Sequence, residues 1–267
     1  MLQHQYQQQI DLLAKEYAID SIEVKVFDSI DSTNKKLWQL IDKRIQLPIA
    51  ITASQQTAGK GQWGKTWQSG LGGLYLSVAL KCDLALENSF HLVMATATGI
   101  ANILRDYLLP ITIKWSNDLI LDYRKLGGIK IETKTENNCI KYAVIGVGIN
   151  CNNTVPKVGI NLRSYYQNNS NKLVKINSLE KLIAIAITGI LKGYQDYLQL
   201  GATHTLKQYQ QLLNSIGKKI TINNYTGTII GVNLQGQLKV RLQSPGSSTE
   251  ICLSPGEISL GYDMRST

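Results

Sequence analysis

The feature that most restricts this chain is a long polar loop at residues 55–73, set between strand-like segments at 48–53 and 74–80. Glycines stand at 59, 61, 64, 70, 72 and 73, a density that opposes helix formation. Residues 59–66, GKGQWGKT, nonetheless satisfy G-x-x-x-x-G-K-[ST], and the first six satisfy G-x-G-x-x-G. Both phosphate patterns depend on a helix starting at the loop, because its free N-terminal amides and positive dipole end hold the anion. Here Thr66 leads into WQSGLGG and then a strand. The P-loop and dinucleotide readings are therefore set aside, and no His-Arg-Asp loop supports a kinase. What survives is a pliable backbone carrying Lys60 and Lys65, able to wrap an anionic ligand.

Around this loop the polarity pattern alternates between strand and helix periods. Residues 23–27 read as a strand, and Ser32 stands where an N-cap belongs, ahead of Leu37, Leu40, Ile41 and Ile45 at helical spacing. Asn88 or Ser89 opens a helix to residue 109 with Leu92, Val93, Ala97, Ile100, Leu104 and Leu108 on one face. Strands are expected at 111–115, 119–121, 128–133 and 143–149, the last apolar enough to be buried on both faces. A surface loop is expected at 168–172. Ser178 begins a long helix, and a shorter helical stretch ends near Gly217. Beyond that, KKITI, GTIIGV, LKVRL, TEICL and EISL follow at close intervals, the texture of a small β-barrel or sandwich. The division expected is a mixed α/β domain over residues 1–214 and a small all-β domain over 215–267.

Composition removes other classes. Hydrophobic residues make up 43% and charged residues 18%, so the chain can bury a substantial core and is not disordered. The most apolar run, 182–191, is far shorter than the ~20 residues of a spanning helix. No secretory signal is visible at the start, and Cys82, Cys139, Cys151 and Cys252 form no CxxC pair, so a reducing, cytoplasmic setting is expected. The 28 Lys+Arg against 19 Asp+Glu give a net charge of +9, but these residues are scattered rather than clustered. That favours a surface tolerant of anionic ligands over a nucleic-acid module, which would need a basic, aromatic face.

Four further constellations carry short polar side chains, lysines or paired glycines. They are DSTN at 31–34, KWSND at 114–118, KLGG at 125–128 and GVGIN at 146–150. Each alone has a plain alternative: Ser32 a helix cap, Asp118 a turn former, Lys125 a solvated lysine, Gly146 and Gly148 a packing accommodation. Together with the loop they resemble, in order and spacing, the motifs of the biotin protein ligase family, which attaches biotin to a lysine of a carrier domain. The family patterns are DSTN, QTAGRGRxGRxW, KWPND, RKLxGI and GxGIN. The resemblance runs over residues 27–262 and takes in GEISL at 256–260.

The resemblance implies an α+β fold, a mixed sheet with helices similar to class II tRNA synthetases and lipoate ligases, followed by a small SH3-like β-barrel. It implies use of biotin, ATP and Mg2+, passage through biotinyl-5′-AMP, and transfer to the biotin carboxyl carrier protein or domain of acetyl-CoA carboxylase or a related carboxylase. Lys125 and Asp118 match catalytic positions. Lys125 corresponds to the lysine reaching the biotin carboxylate and the phosphate, Asp118 to the carboxylate that receives or orients the incoming ammonium. Ser32, Thr33, Asn34, Gln56, Gly59, Lys60, Gly61, Gln62, Lys125, Gly128 and Gly146 match biotin-side positions. Lys60, Gln62, Lys65, Asn117, Lys125 and Asn150 match nucleotide-side positions, Asn117 and Asn150 also as candidates toward the metal. Trp67 and Trp115 are expected to pack behind the site.

Three departures matter. The loop arginines of the family are Lys60, Gln62 and Lys65 here, which costs bidentate geometry at two positions and charge at Gln62. Ser116 replaces the KWPND proline. About 30 residues precede DSTN, too few for the winged-helix repressor domain of many bacterial members, so an enzyme without specific DNA binding, acting as monomer or homodimer and away from membranes, is expected. A lipoate or octanoate ligase of the same superfamily is the nearest alternative; a basic nucleic-acid-binding module is the alternative of another class.

Overall fold

Runs of valine and isoleucine punctuated by glycine, asparagine and proline extend the backbone, whereas apolar residues three and four apart coil it. The computed structural model describes residues 2–169, 176–222, 224–244 and 247–262. Helix α1 (Leu2–Glu16) is followed by strand β1 (Glu23–Ile30), helix α2 (Thr33–Asp42) and strand β2 (Ile49–Gln56). Strand β3 (Leu74–Ala85), helix α3 (Ser89–Asp106) and strands β4 (Thr112–Lys114), β5 (Asp118–Leu121), β6 (Arg124–Glu136) and β7 (Cys139–Ile149) come next. Helices α4 (Leu162–Asn168) and α5 (Leu179–Leu212) lead to strands β8 (Lys219–Ile222), β9 (Tyr225–Val232), β10 (Leu238–Ser244) and β11 (Ser247–Leu253).

Seven strands form one mixed sheet in the order β1-β2-β3-β7-β6-β5-β4, with β1 and β2 parallel and the other neighbours antiparallel. Strand β7 shows how the layers are set. Ala143 and Ile145 join the core with α1, α3 and α5, while Val144 joins Leu37 and Ile41 of α2 on the opposite face. Gly146 and Gly148 share the face of Val144, because side chains alternate along a strand, and they leave open space beyond α2. Ser32 caps α2 as expected, its side chain accepting from the Lys35 amide at 3.5 Å.

Several expectations need correction. Helix α3 ends at Asp106, and Leu108 is exposed at φ 60 while Leu109 turns inward. The Leu108 amide donates to Arg105 O (2.8 Å) and the Leu109 amide to Leu104 O (3.2 Å), a left-handed helix ending just before Pro110. Asn88 precedes α3 without a side-chain cap bond. Helix α1, hidden in a glutamine-rich start, buries Tyr6, Ile10, Leu13 and Ala14. Of the loop expected at 168–172, Asn168 ends α4 and residues 170–172 lie outside the described residues.

The small SH3-like barrel is also overturned. Strands β8–β11 form an open antiparallel sheet in the order β11-β10-β9-β8, and among the described residues its outer strands do not pair with each other. Closure is one way to protect an apolar face and free edges. Here Ile229, Val232, Leu238 and Val240 bury the face into the same core as α3 and α5. Two hydrogen bonds fasten the small sheet: Trp115 Nε1, after β4, donates to Gly236 O (2.9 Å), and the Val232 amide donates to Gln210 Oε1 of α5 (3.1 Å). EISL is not a strand. After a bridge between Pro255 and Ile258, it runs back to the larger sheet.

Candidate active site

The glycine loop folds on itself rather than opening a helix. Lys60 and Thr66 form a bridge, the Gly61 amide donates to Lys65 O (2.7 Å), and the Trp67 amide donates to Gly59 O (3.0 Å). The hairpin tip is Trp63, largely exposed at φ 56. Trp67, which closes the hairpin, separates two cavities.

The smaller, of about 60 Å3, lies on the α2 face of the sheet in the space left by Gly146 and Gly148. A Cβ at Gly148 would strike the Trp67 indole, and one at Gly146 the Asn34 carboxamide. Its walls are polar. The Thr33 amide and hydroxyl both donate to Gln56 Oε1 (2.8 and 3.1 Å), and Gln56 Nε2 donates to Ser69 Oγ (2.9 Å). Buried Ser77 Oγ lies 2.7 Å from Thr33 Oγ1 and 2.6 Å from Asn34 Oδ1, with one proton to serve either. At the far end Lys130 pairs with Glu132 (2.9 Å), which also accepts from Trp38 Nε1 (2.8 Å). Burial alone would raise the Glu132 carboxyl, but the bonds from Lys130 and Trp38 hold it below the usual range. Trp67 Nε1 is buried with no protein partner, a donor left for an occupant.

The larger cavity, of about 720 Å3, is walled by the hairpin, the β4–β5 turn, residues 150–159 and residues 255–262. Its centre is Asp118, brought opposite Lys114 and Gly128 by the β4–β5–β6 meander. Lys125 Nζ lies 2.6 Å from Asp118 Oδ1 and 5.2 Å over the Trp67 ring. Lys114 Nζ lies 3.7 Å from Asp118 Oδ2 and 4.2 Å over the Tyr262 ring, and Tyr262 Oη donates to Oδ2 at 2.6 Å. Burial holds the Lys114 ammonium below the usual lysine range; Asp118 opposes this, while Lys125 and Lys65 add to it. Burial and then Asp118 push the Tyr262 phenol upward. Lys125 is braced from behind, its amide donating to Val158 O and its carbonyl accepting from the Ile160 amide, both 2.9 Å. Three lysines against two carboxylates, Asp118 and Glu257, leave a net positive cavity that suits an anion.

The expected residues fall into place unevenly. Ser32, Thr33, Asn34, Gln56, Gly128 and Gly146 line the smaller cavity, as does Lys60. Asp118, Lys65 and Asn150 line the larger. Gly61, Gln62, Trp67, Asn117 and Lys125 line both, so Trp67 stands at the junction rather than behind it, and Trp115, though buried, lines the larger cavity. Gly59 lines neither; a side chain there would strike Ser69 Oγ and Trp67 O. Asn117 Nδ2 donates to Ile129 O (2.8 Å) and its Oδ1 accepts from Ser116 Oγ (3.2 Å), while Asn150 Oδ1 accepts from Asn153 Nδ2 (3.0 Å). Two neutral, already bonded carboxamide oxygens do not make a magnesium cage, and among the described residues no cluster of three His, Cys, Asp or Glu does either. Sequence reasoning missed Ser77, Lys114 and Tyr262 as site residues. Lys114 lay inside a quoted motif, but Ser77 and Tyr262 gave no local signal.

A model of the biotin/lipoate A/B protein ligase family matches residues 26–150, which hold both cavities' sheet-borne side chains. The bifunctional ligase/repressor BirA of Bacillus spizizenii is 25% identical over 226 residues, 81% of this chain and 68% of that protein. The chain is thus similar to biotin protein ligases over most of its length. BirA of Escherichia coli is 27% identical over 261 residues, 90% of this chain and 76% of that one. The structure of biotin protein ligase from Aquifex aeolicus in complex with biotin and ATP matches with a TM-score of 0.67 at 21% identity, covering 90% of this chain and 98% of that chain. The chain spans only 63% of BirA from Bacillus subtilis and 28% of the human biotin–protein ligase. No helix among the described residues is long and apolar enough to cross a membrane.

Proposed function

We propose that this chain is an ATP-dependent biotin protein ligase that forms biotinyl-5′-AMP and passes biotin to a lysine of a carrier domain. The observation that carries the reading is the meeting of a small polar cavity and a large cationic one at Lys125 and Trp67. The hydrogen-bonding edge of the ureido ring suits Thr33, Asn34 and Gln56, and the triphosphate suits Lys65, Lys114 and Lys125. Biotin's carboxylate would then lie at the junction, in line with the α-phosphate.

In the first step a carboxylate oxygen attacks the α-phosphorus and pyrophosphate leaves. Lys125 offsets charge at the reacting oxygens, and the hairpin with Gln62 and Lys60 shields the mixed anhydride from water. Magnesium enters as part of the substrate MgATP, held by its phosphates. In the second step the carrier lysine gives up a proton toward Asp118, and its nitrogen bonds the acyl carbon. The C–O bond to AMP breaks with its electron pair on the phosphate, and the second amine proton passes to solvent. The carrier proposed is the biotin carboxyl carrier protein or domain of acetyl-CoA carboxylase or a related carboxylase, with no specific DNA contact. Residues 1–214 would hold the chemistry, and 215–267 would supply one wall through 255–262.

The test is incubation with ATP, a carrier domain and labelled biotin, lipoate or octanoate. Transfer of biotin, with no ATP hydrolysis in its absence, is expected. Preferential transfer of lipoate or octanoate, or biotin-independent ATPase activity abolished by Lys65→Ala, would overturn the reading.

A further inference from the structure

The second step asks Asp118 to receive an amine, yet both of its carboxylate oxygens are taken. Oδ1 is held by Lys125 at 2.6 Å. Oδ2 is held by the Tyr262 hydroxyl at 2.6 Å, with Lys114 at 3.7 Å and its ammonium over the same tyrosine's ring. The carboxylate is almost wholly buried, its side chain 11% exposed, and with the phenol and Lys114 both at Oδ2 a further ammonium reaches it only by displacing a donor already there. Tyr262 comes from 144 residues away in the chain. Its stretch is anchored upstream, where the Glu257 amide donates to Ser254 O and Ile258 and Leu260 pack on the core. Beyond that anchor Gly261 is exposed with open space about it, and Tyr262 belongs to no strand, so moving the ring breaks no sheet pairing.

We propose that Tyr262 is a positioning residue for the transfer step: it occupies Asp118 Oδ2 while the adenylate forms and is exchanged there for the carrier lysine's ammonium. The assignment rests on the ligase reading above. The exchange is chemically matched, since both donors make a charge-assisted bond to the same carboxylate oxygen and the ammonium adds Coulomb attraction that the neutral phenol lacks. It also makes acyl transfer conditional. A small free amine must displace the phenol unaided, whereas a carrier domain docked at the cavity mouth delivers its lysine with other contacts already made.

Tyr262→Phe keeps the ring over Lys114 and removes only the hydroxyl. Single-turnover assays would follow pyrophosphate release for the first step, and transfer to methylamine or to a carrier domain for the second. The ratio of methylamine transfer to adenylate formation is expected to rise about threefold to tenfold, and KM for the carrier domain to fall while kcat changes less. A purely structural tyrosine would instead depress both steps together, and the melting temperature reports that case. An unchanged or lowered ratio, with normal adenylate formation, overturns the role of Tyr262 alone. If the natural protein forms no biotinyl-AMP at all, the ligase reading and this assignment fall together.

Discussion

The two cavities meet at one indole but are made in different ways. In the smaller, Thr33 bonds Gln56 across 23 residues and Asn117 bonds Ile129 across 12, within segments that the sheet holds rigid. In the larger, Asp118 receives a phenol from 144 residues away, and the second sheet is tied in through Trp115 and Gly236 across 121. A ring with a fixed donor–acceptor edge needs walls that do not move, so it is served by neighbouring strands and a capped helix. On the proposed reading a nucleotide enters the other side and a protein lysine follows it, which suits walls made of a hairpin and a returning terminal stretch. The difference separates recognition from chemistry, and mutations can test where the border runs.

The largest effect is expected at the border itself. Lys125→Ala should lower biotinyl-AMP formation by about 10²–10³-fold, the cost typical of losing one preorganised electrostatic contact to a transition state. Pyrophosphate release measures it, and an unchanged circular dichroism spectrum shows that the fold survives. Next comes Gly148→Ala. The added methyl strikes the Trp67 indole, and overpacking of about 1–3 kcal/mol should lower kcat/KM for biotin and ATP alike, roughly tenfold or more. An effect confined to one substrate would place Trp67 in one cavity only and break the comparison.

A smaller and one-sided effect is expected from Thr33→Val, which removes the hydroxyl shared with Gln56 and Ser77. Leaving those groups short of a partner costs about 1–3 kcal/mol, so KM for biotin should rise roughly tenfold with KM for ATP nearly unchanged. Isothermal titration with each ligand separates the two. The mildest change is Gln62→Arg. Gln62 Nε2 reaches only Ile129 O at 3.3 Å and brings no charge to the loop. A guanidinium contact to the adenylate should slow its release several-fold to roughly tenfold, since a charge-assisted bond exceeds a neutral one by about 1 kcal/mol. Biotinyl-AMP dissociation, and stray labelling of bystander proteins, are the measurements; equal release from both forms would show that Lys60 or Lys65 already supplies the contact.

Local chemistry was enough to read much of this. Period-two and helical spacing placed β1, α2, β3 and β7 because their side chains answer to the neighbouring strand or turn, and the three glycines after Thr66 ruled out a phosphate-binding helix. The five motifs singled out Lys125, Asp118, Thr33 and Gln56, which the structure divides between two adjoining cavities. Where a segment's outcome depends on what covers it, the sequence was silent. The β8–β11 stretch has the texture of a barrel, and only the presence of α3 and α5 against Ile229 and Val240 lets it stay open. EISL has the composition of a strand, yet among the described residues no strand edge receives it. Gly59 sits in the longest motif but is spent on the hairpin's own packing. Asp118 could be named from its motif, but not the phenol on its outer oxygen, because a contact across 144 residues is decided by how two sheets dock and leaves no trace in either segment alone.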